Sequence, residues 1–142
     1  MTEVSFHLNV PDADAYVCRL LRKAYAKGAR VRVVADEEQL VALDRALWLM
    51  EQRDFVPHAR SSAPAHVRKH TPILLGASDH GAEVVLVNLS PRMPENAAAF
   101  DRIIEVVGVQ EAAREQARVR WKQYRNAGFT PQAVDLSSRG EV

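Results

Sequence analysis

Valine-rich runs of strand length alternate with helical patterns along the first third of this chain, and this alternation limits the possible folds. Residues 4–10 (VSFHLNV) and 29–36 (ARVRVVAD) are two such runs. After each run, apolar residues recur at the spacing of an amphipathic helix. This order predicts an α/β layered sheet with helices on both faces.

Capping signals delimit the two predicted helices. The first has Asp12 or Asp14 as its candidate N-cap and Gly28 as its stop. The second begins with a candidate capping box of Asp36 and Gln39. The residues expected to face the core are Val17, Leu20, Leu21 and Ala24 in the first helix and Leu40, Leu43, Ala46 and Leu47 in the second.

The rest of the chain continues this pattern as a single domain. Two apolar runs, ILLGAS and EVVLVNL, flank a turn at 79–81 and predict neighbouring strands of one sheet. Residues 100–109 predict a buried strand, or a helix that runs into a strand. Residues 110–127 predict a final helix that stops at Gly128. Three prolines and two serines in 55–72 indicate a loop.

Composition excludes several classes of protein. The net charge of the 142 residues is +1, so anion binding would need a local basic patch. The single cysteine, Cys18, permits no intramolecular disulfide, and its apolar neighbours indicate a packing role. The N-terminus lacks the pattern of a signal peptide, and no apolar run approaches the roughly 20 residues of a membrane span. We therefore expect a cytoplasmic protein.

The strand-to-helix junctions argue against nucleotide chemistry. A dinucleotide site needs glycines at this position, whereas the first junction has Pro11, Asp12 and Asp14, and the second has three consecutive acids at 36–38. The histidines show neither two-ligand helical spacing nor a cysteine partner; they are His7, His58, His66, His70 and His80. We expect no cofactor, metal or catalytic site.

The final helix concentrates cationic and aromatic residues on one side. At 100° per residue, one sector contains Arg114, Arg118, Trp121 and Arg125, with Lys122 beside it. This sector has two interpretations, which are a solvated basic face or an anion site with an aromatic wall.

A different sector of the same helix is the expected core face. It contains Ala113, Ala117 and Tyr124, and it lies away from Trp121. Arg120 falls close to this sector and must therefore extend to solvent or form an ion pair.

A second candidate surface follows the second helix. Trp48 comes at the edge of the apolar stripe where the helix is ending, and Phe55 begins a loop that contains proline. Two large aromatic residues here would either form an exposed patch that binds a partner or cover the core.

These segments, in this order, resemble the chi subunit of the bacterial DNA polymerase III holoenzyme. The matching pieces are LDRALW (43–48), FVPH (55–58) and ARVRWKQYRNAGF (117–129). The resemblance spans most of the chain, although residues 59–98 match only in pattern. It implies a Rossmann-like α/β fold without nucleotide binding and a non-enzymatic role.

The resemblance also implies two binding surfaces. One would contain Trp48 and Phe55 and join the psi subunit, which attaches chi to the clamp loader. The other would bind the acidic C-terminal tail of single-stranded-DNA-binding protein. Its residues would be Arg114, Arg118, Trp121, Lys122, Arg125 and Val107. The family often has tyrosine where Trp121 stands, so a contact through that hydroxyl would be missing here.

Two other functions remain as alternatives from the sequence. A direct binder of single-stranded nucleic acid would stack Trp121 or Tyr124 on bases and place arginines on phosphates. A small Rossmann-like enzyme is the other alternative, and the acidic junctions disfavour it.

Overall fold

A parallel sheet of seven strands forms the centre of the protein. The computed structural model describes residues 2–49, 56–76 and 85–137. The strands are β1 (Glu3–Val10), β2 (Val31–Val34), β3 (His58–Arg60), β4 (Ile73–Leu75), β5 (Val85–Asn88), β6 (Arg102–Gly108) and β7 (Gln132–Asp135). The helices are α1 (Ala13–Ala26), α2 (Glu37–Trp48), α3 (Ala65–His70) and α4 (Glu111–Asn126), with a short 3-10 helix at Ala97–Ala99.

The strand order across the sheet is β3-β4-β2-β5-β6-β1-β7, and every neighbouring pair is parallel. Helix α4 connects β6 to β7, which flank β1, so α4 crosses over β1. Within the described residues, this arrangement confirms the predicted α/β layered fold.

Each face of the sheet has its own apolar core. Helices α1 and α2 cover one face, where they bury Val17, Leu21, Leu43 and Leu47 against strand residues. Cys18 is buried in this layer, as its neighbours predicted. Helix α4 and the 3-10 helix cover the other face, and Tyr124 has no exposed surface there. Helices therefore pack on both faces.

The helix signals are confirmed in part. Asp12 and Asp36 are the N-caps of α1 and α2, and they accept from the backbone N–H groups of Ala15 and Gln39. The predicted capping box is incomplete, because the Gln39 side chain donates to Asp14 of α1 at 3.4 Å. It therefore links two helices.

Three sequence expectations need correction. The stretch 55–72 was expected to be a loop, yet it contains β3 and α3. Strands β4 and β5 lie in one sheet but are not neighbours, because β2 pairs with both of them. The third is β7, which the sequence did not predict. The open choice at 100–109 is resolved as a strand, β6. The turn at 79–81 lies outside the described residues.

A bulge interrupts β1 near its end. His7 pairs with Val106 and Val10 pairs with Gly108, so Leu8 and Asn9 of β1 stand opposite Val107 alone. The extra residue switches Val10 to the face covered by α1, while Leu8 stays on the face covered by α4. Asn9 has a φ of 59°, in the left-handed region that asparagine tolerates better than most residues.

Candidate functional site

A groove runs between α4 and the strands β1, β6 and β7, with a volume of about 500 Å³. It forms because α4 packs across β1 while β7 ends the sheet beside it. The lining residues are Phe6, Leu8, Asn9, Val107, Arg114, Ala117, Arg118, Trp121, Lys122 and Ala133. These residues come from three strands and one helix, so only the folded chain brings them together.

The floor of the groove is apolar. Phe6 is buried, and its ring centroid lies 5.1 Å from that of Trp121, with the rings tilted by 58°. Val107 and Ala117 are buried next to them. Trp121 is half-buried, so it lies closer to the alanine face than the helical projection predicted. Its ring forms a wall that an apolar side chain could contact.

Cationic side chains from α4 line the groove along one side. Arg114, Arg118 and Lys122 follow one another at four-residue spacing and are all exposed. The Glu111 carboxylate lies 3.8 Å from Arg114 Nη1 and 3.7 Å from Arg118 Nη1. Both ion pairs are exposed and long, which leaves the guanidinium groups accessible to an added carboxylate.

Five of the six residues that the family resemblance assigns to the acidic-tail site line this groove. They are Val107, Arg114, Arg118, Trp121 and Lys122. Arg125 is exposed at the end of α4 and is not among the lining residues. Sequence reasoning missed Phe6, Leu8, Asn9 and Ala133, because strand residues contribute to a groove only through pairing that the chain pattern does not reveal.

A buried polar cluster fixes α4 to the sheet behind the groove. Glu105 of β6 has no exposed surface and accepts from Arg120 Nε at 2.9 Å, Tyr124 Oη at 2.7 Å and Asn88 Nδ2 at 2.9 Å. Burial raises the pKa of Glu105, while the Arg120 charge and the three hydrogen bonds lower it. Arg120 therefore forms an ion pair, one of its two predicted outcomes.

The other candidate surface is an exposed apolar strip on α2 and the residue that follows it. Trp48 is 63% exposed, and Leu49 and Val41 are also exposed. The Trp48 ring meets the edge of His58 with centroids 5.2 Å apart. This resolves the open choice for Trp48, which is exposed and does not cover the core. Phe55, the other residue of the predicted patch, lies outside the described residues.

His58 is fixed beneath Trp48. His58 Nδ1 lies 2.8 Å from the Val56 carbonyl oxygen, and Nε2 lies 2.9 Å from Asp44 Oδ1. The His58 side chain has no exposed surface. The ring is therefore a rigid support for the exposed indole.

Within the ranges that the structure describes, no group of three or more His, Cys, Asp or Glu side chains could hold a metal ion. In the same ranges, no helix combines the length and the apolar character needed to cross a membrane.

Comparison with known proteins identifies the family. The sequence model described as DNA polymerase III chi subunit, HolC, matches residues 1–132. The chain is 32% identical over 137 residues to DNA polymerase III subunit chi of Pseudomonas aeruginosa, which covers 91% of this chain and 93% of that protein. It is 30% identical over 123 residues to the subunit chi of Escherichia coli, with coverages of 82% and 80%. With the subunit chi of Haemophilus influenzae it shares 31% identity over 120 residues, which cover 82% of each chain. The chain therefore belongs to the DNA polymerase III chi subunit family.

Proposed function

We propose that this chain is a non-catalytic accessory subunit of DNA polymerase III that connects two partners. One partner is the psi subunit, which links it to the clamp loader. The other is the acidic C-terminal tail of single-stranded-DNA-binding protein. The observation that carries the proposal is the groove beside α4, in which a row of cationic side chains borders an apolar floor.

The chemistry of the groove matches an acidic peptide that ends in an apolar residue. Arg114, Arg118 and Lys122 would bind carboxylates through charge-assisted hydrogen bonds. The space between Trp121 and the strands would take the terminal apolar side chain. The described residues that line the groove include no serine, cysteine, histidine or carboxylate. This composition supports binding rather than covalent or acid–base chemistry.

The aromatic residues of α4 favour a peptide over single-stranded nucleic acid. Tyr124 has no exposed surface and cannot stack on a base. Trp121 packs on Phe6, so its ring is already partly occupied by the protein. A stacking platform needs open aromatic faces beside a basic track. A net charge of only +1 also gives little general attraction to a nucleic acid.

The exposed strip on α2 is the surface we assign to psi. Trp48, Leu49 and Val41 place apolar side chains in solvent, and an exposed apolar patch of this kind is typical of a protein interface. The family resemblance assigns Phe55 to the same surface. The strip and the groove lie on different helices, which pack on opposite faces of the sheet. Both partners could therefore bind at once.

Calorimetric titration with a peptide copied from the acidic tail tests the groove. Arg118→Ala removes a guanidinium that contributes about 1.5–3 kcal/mol per charge-assisted hydrogen bond, so affinity should fall about tenfold to a hundredfold. Arg125→Ala, whose side chain is not among those that line the groove, should have a smaller effect. The Arg118→Ala protein should still co-purify with psi.

Two results would contradict the proposal. If the peptide binds Arg118→Ala as tightly as it binds the wild-type protein, the basic side of α4 is a solvated face and not a binding site. Tight binding of single-stranded DNA that the peptide does not displace would favour the nucleic-acid alternative.

A further inference from the structure

Arg114 is held at one end of the groove by a chain of hydrogen bonds from two strands. Arg114 Nη2 donates to Asn9 Oδ1 at 2.7 Å. Asn9 Nδ2 donates in turn to Asp135 Oδ1 at 2.9 Å. Asp135 also accepts from the Ser137 backbone N–H at 3.0 Å and from the Ser137 hydroxyl at 2.6 Å. The guanidinium is thereby tied to β1 and, through it, to β7.

The bulge in β1 explains why Asn9 can reach Arg114. Because the bulge inserts one residue, both Leu8 and Asn9 line the groove instead of alternating between faces. Leu8 pairs directly with Asp135 on β7, which places the Asp135 carboxylate beside Asn9. The left-handed backbone at Asn9 suits asparagine, aspartate or glycine, and of these asparagine alone supplies a neutral acceptor.

The Asn9 side chain is uncharged, which matters if the groove binds an anion. An amide oxygen can orient a guanidinium without cancelling its charge, whereas a carboxylate would compete with the ligand for it. Asp135 sets the orientation of the Asn9 amide, since it accepts from Nδ2 and leaves Oδ1 facing Arg114. Both arginines lie near the exposed Glu111 carboxylate, at 3.8 Å for Arg114 and 3.7 Å for Arg118, and Arg114 has in addition the 2.7 Å hydrogen bond to Asn9.

We propose that Asn9 is a positioning residue that pre-orients the Arg114 guanidinium to bind a carboxylate of the acidic peptide. This proposal rests on the proposed function of the groove. An arginine that is already held loses less side-chain freedom when the ligand arrives. Asn9 thus strengthens binding through Arg114 rather than by its own contact with the peptide.

A double-mutant cycle with the tail peptide tests this role. Asn9→Gly keeps the left-handed backbone and removes the amide, and should weaken binding about threefold to tenfold. In the Arg114→Ala background, Asn9→Gly should cause no further loss, because the residue through which it acts is absent. Asp135→Ala, which releases the Asn9 amide without changing residue 9, should weaken binding in the same direction. Asn96→Gly, at an exposed position away from the groove, is the matched control.

Three outcomes separate this inference from the proposed function. An equal loss from Asn9→Gly with and without Arg114 would show that Asn9 does not act through Arg114. Unchanged affinity in Asn9→Gly, while Trp121→Ala still weakens binding, would overturn the positioning role alone. If the wild-type protein does not bind the peptide, the proposed function itself fails. Thermal unfolding of each variant shows whether a loss of affinity reflects a loss of fold.

Discussion

Arg120 and Glu105 form an ion pair inside the layer that joins α4 to the sheet, with Arg120 Nε 2.9 Å from Glu105 Oε1. The side chains are 5% and 0% exposed. Tyr124 and Asn88 occupy further acceptor sites of the carboxylate. This cluster fixes the angle at which α4 lies on the sheet, and it therefore fixes the width of the groove.

Arg120→Met should destabilise the fold strongly. It leaves a buried carboxylate without its charge partner, and breaking such a pair costs about 3–5 kcal/mol. Arg118→Met, at an exposed position of the same helix, should change the free energy of unfolding by no more than about 0.5 kcal/mol. Chemical denaturation measures both. A double variant, Arg120→Met with Glu105→Gln, should recover part of the loss, since no charge is then left buried.

The stability that the protein loses in Arg120→Met should depend on pH. Removing Arg120 takes away the largest influence that lowers the pKa of Glu105, so burial raises this pKa further. The folded variant then binds a proton more tightly than the unfolded chain, so its stability falls as pH rises through the folded pKa. The difference from wild type should be largest at alkaline pH and smaller in acid. A difference that does not vary with pH would contradict an ionised Glu105.

Glu111→Gln should strengthen binding of the acidic peptide. Glu111 lies near both Arg114 and Arg118, and it competes with the ligand for their guanidinium groups. Exposed ion pairs contribute about 0.2–1 kcal/mol, which predicts an increase in affinity of up to about fivefold. Glu115→Gln removes the same charge from the next turn and controls for general repulsion. An equal increase in peptide affinity in both variants would show that Glu111 does not compete specifically for the two guanidinium groups.

Trp121→Ala and Arg118→Ala should differ in their response to salt. Trp121 contributes apolar contact, so its loss should cost about 2 kcal/mol of binding free energy with little change in salt dependence. Arg118→Ala removes a charge that salt screens, so its affinity should vary less with salt than that of wild type. Peptide titrations at low and high salt measure both slopes. Identical slopes in all three proteins would show that Arg118 does not bind a carboxylate of the peptide.

Trp48→Ala should weaken psi binding about thirtyfold or more without unfolding the protein. Because the indole is 63% exposed, its removal should change the free energy of unfolding by no more than about 1 kcal/mol. Truncating an aromatic anchor of an interface costs about 2 kcal/mol or more of binding. Trp121→Ala is the reciprocal control, since it should keep psi and lose the peptide. Normal psi affinity in Trp48→Ala would place that interface elsewhere.

The local signals in the sequence were sufficient for helices α1, α2 and α4 and for strands β1 and β2, whereas α3 was missed and β6 was left open. Asp12 and Asp36 each provide one backbone hydrogen bond that marks a helix start, and the α4 pattern identified Arg114, Arg118 and Trp121 as one side of a helix. These features depend on residues close in the chain, where periodicity and capping are informative.

The remaining features depend on distant residues. β3 (HAR) and β7 (QAVD) are short and contain few apolar residues, so they do not stand out in the sequence as β4 (ILL) and β5 (VLVN) do. The insertion of β2 between β4 and β5 is a choice of sheet order that no local pattern encodes. Asn9 lies 105 positions before Arg114, so its place in the groove follows from a bulge and from strand pairing.

The pairing of β1 has a consequence for the order in which the chain can fold during synthesis. Residues 3–10 are synthesised well before their strand partners, because β1 pairs with β6 at 102–108 and with β7 at 132–135. Its strand partners are therefore made only in the last third of the chain. Until then β1 exposes both of its edges, and such edges invite pairing with other chains.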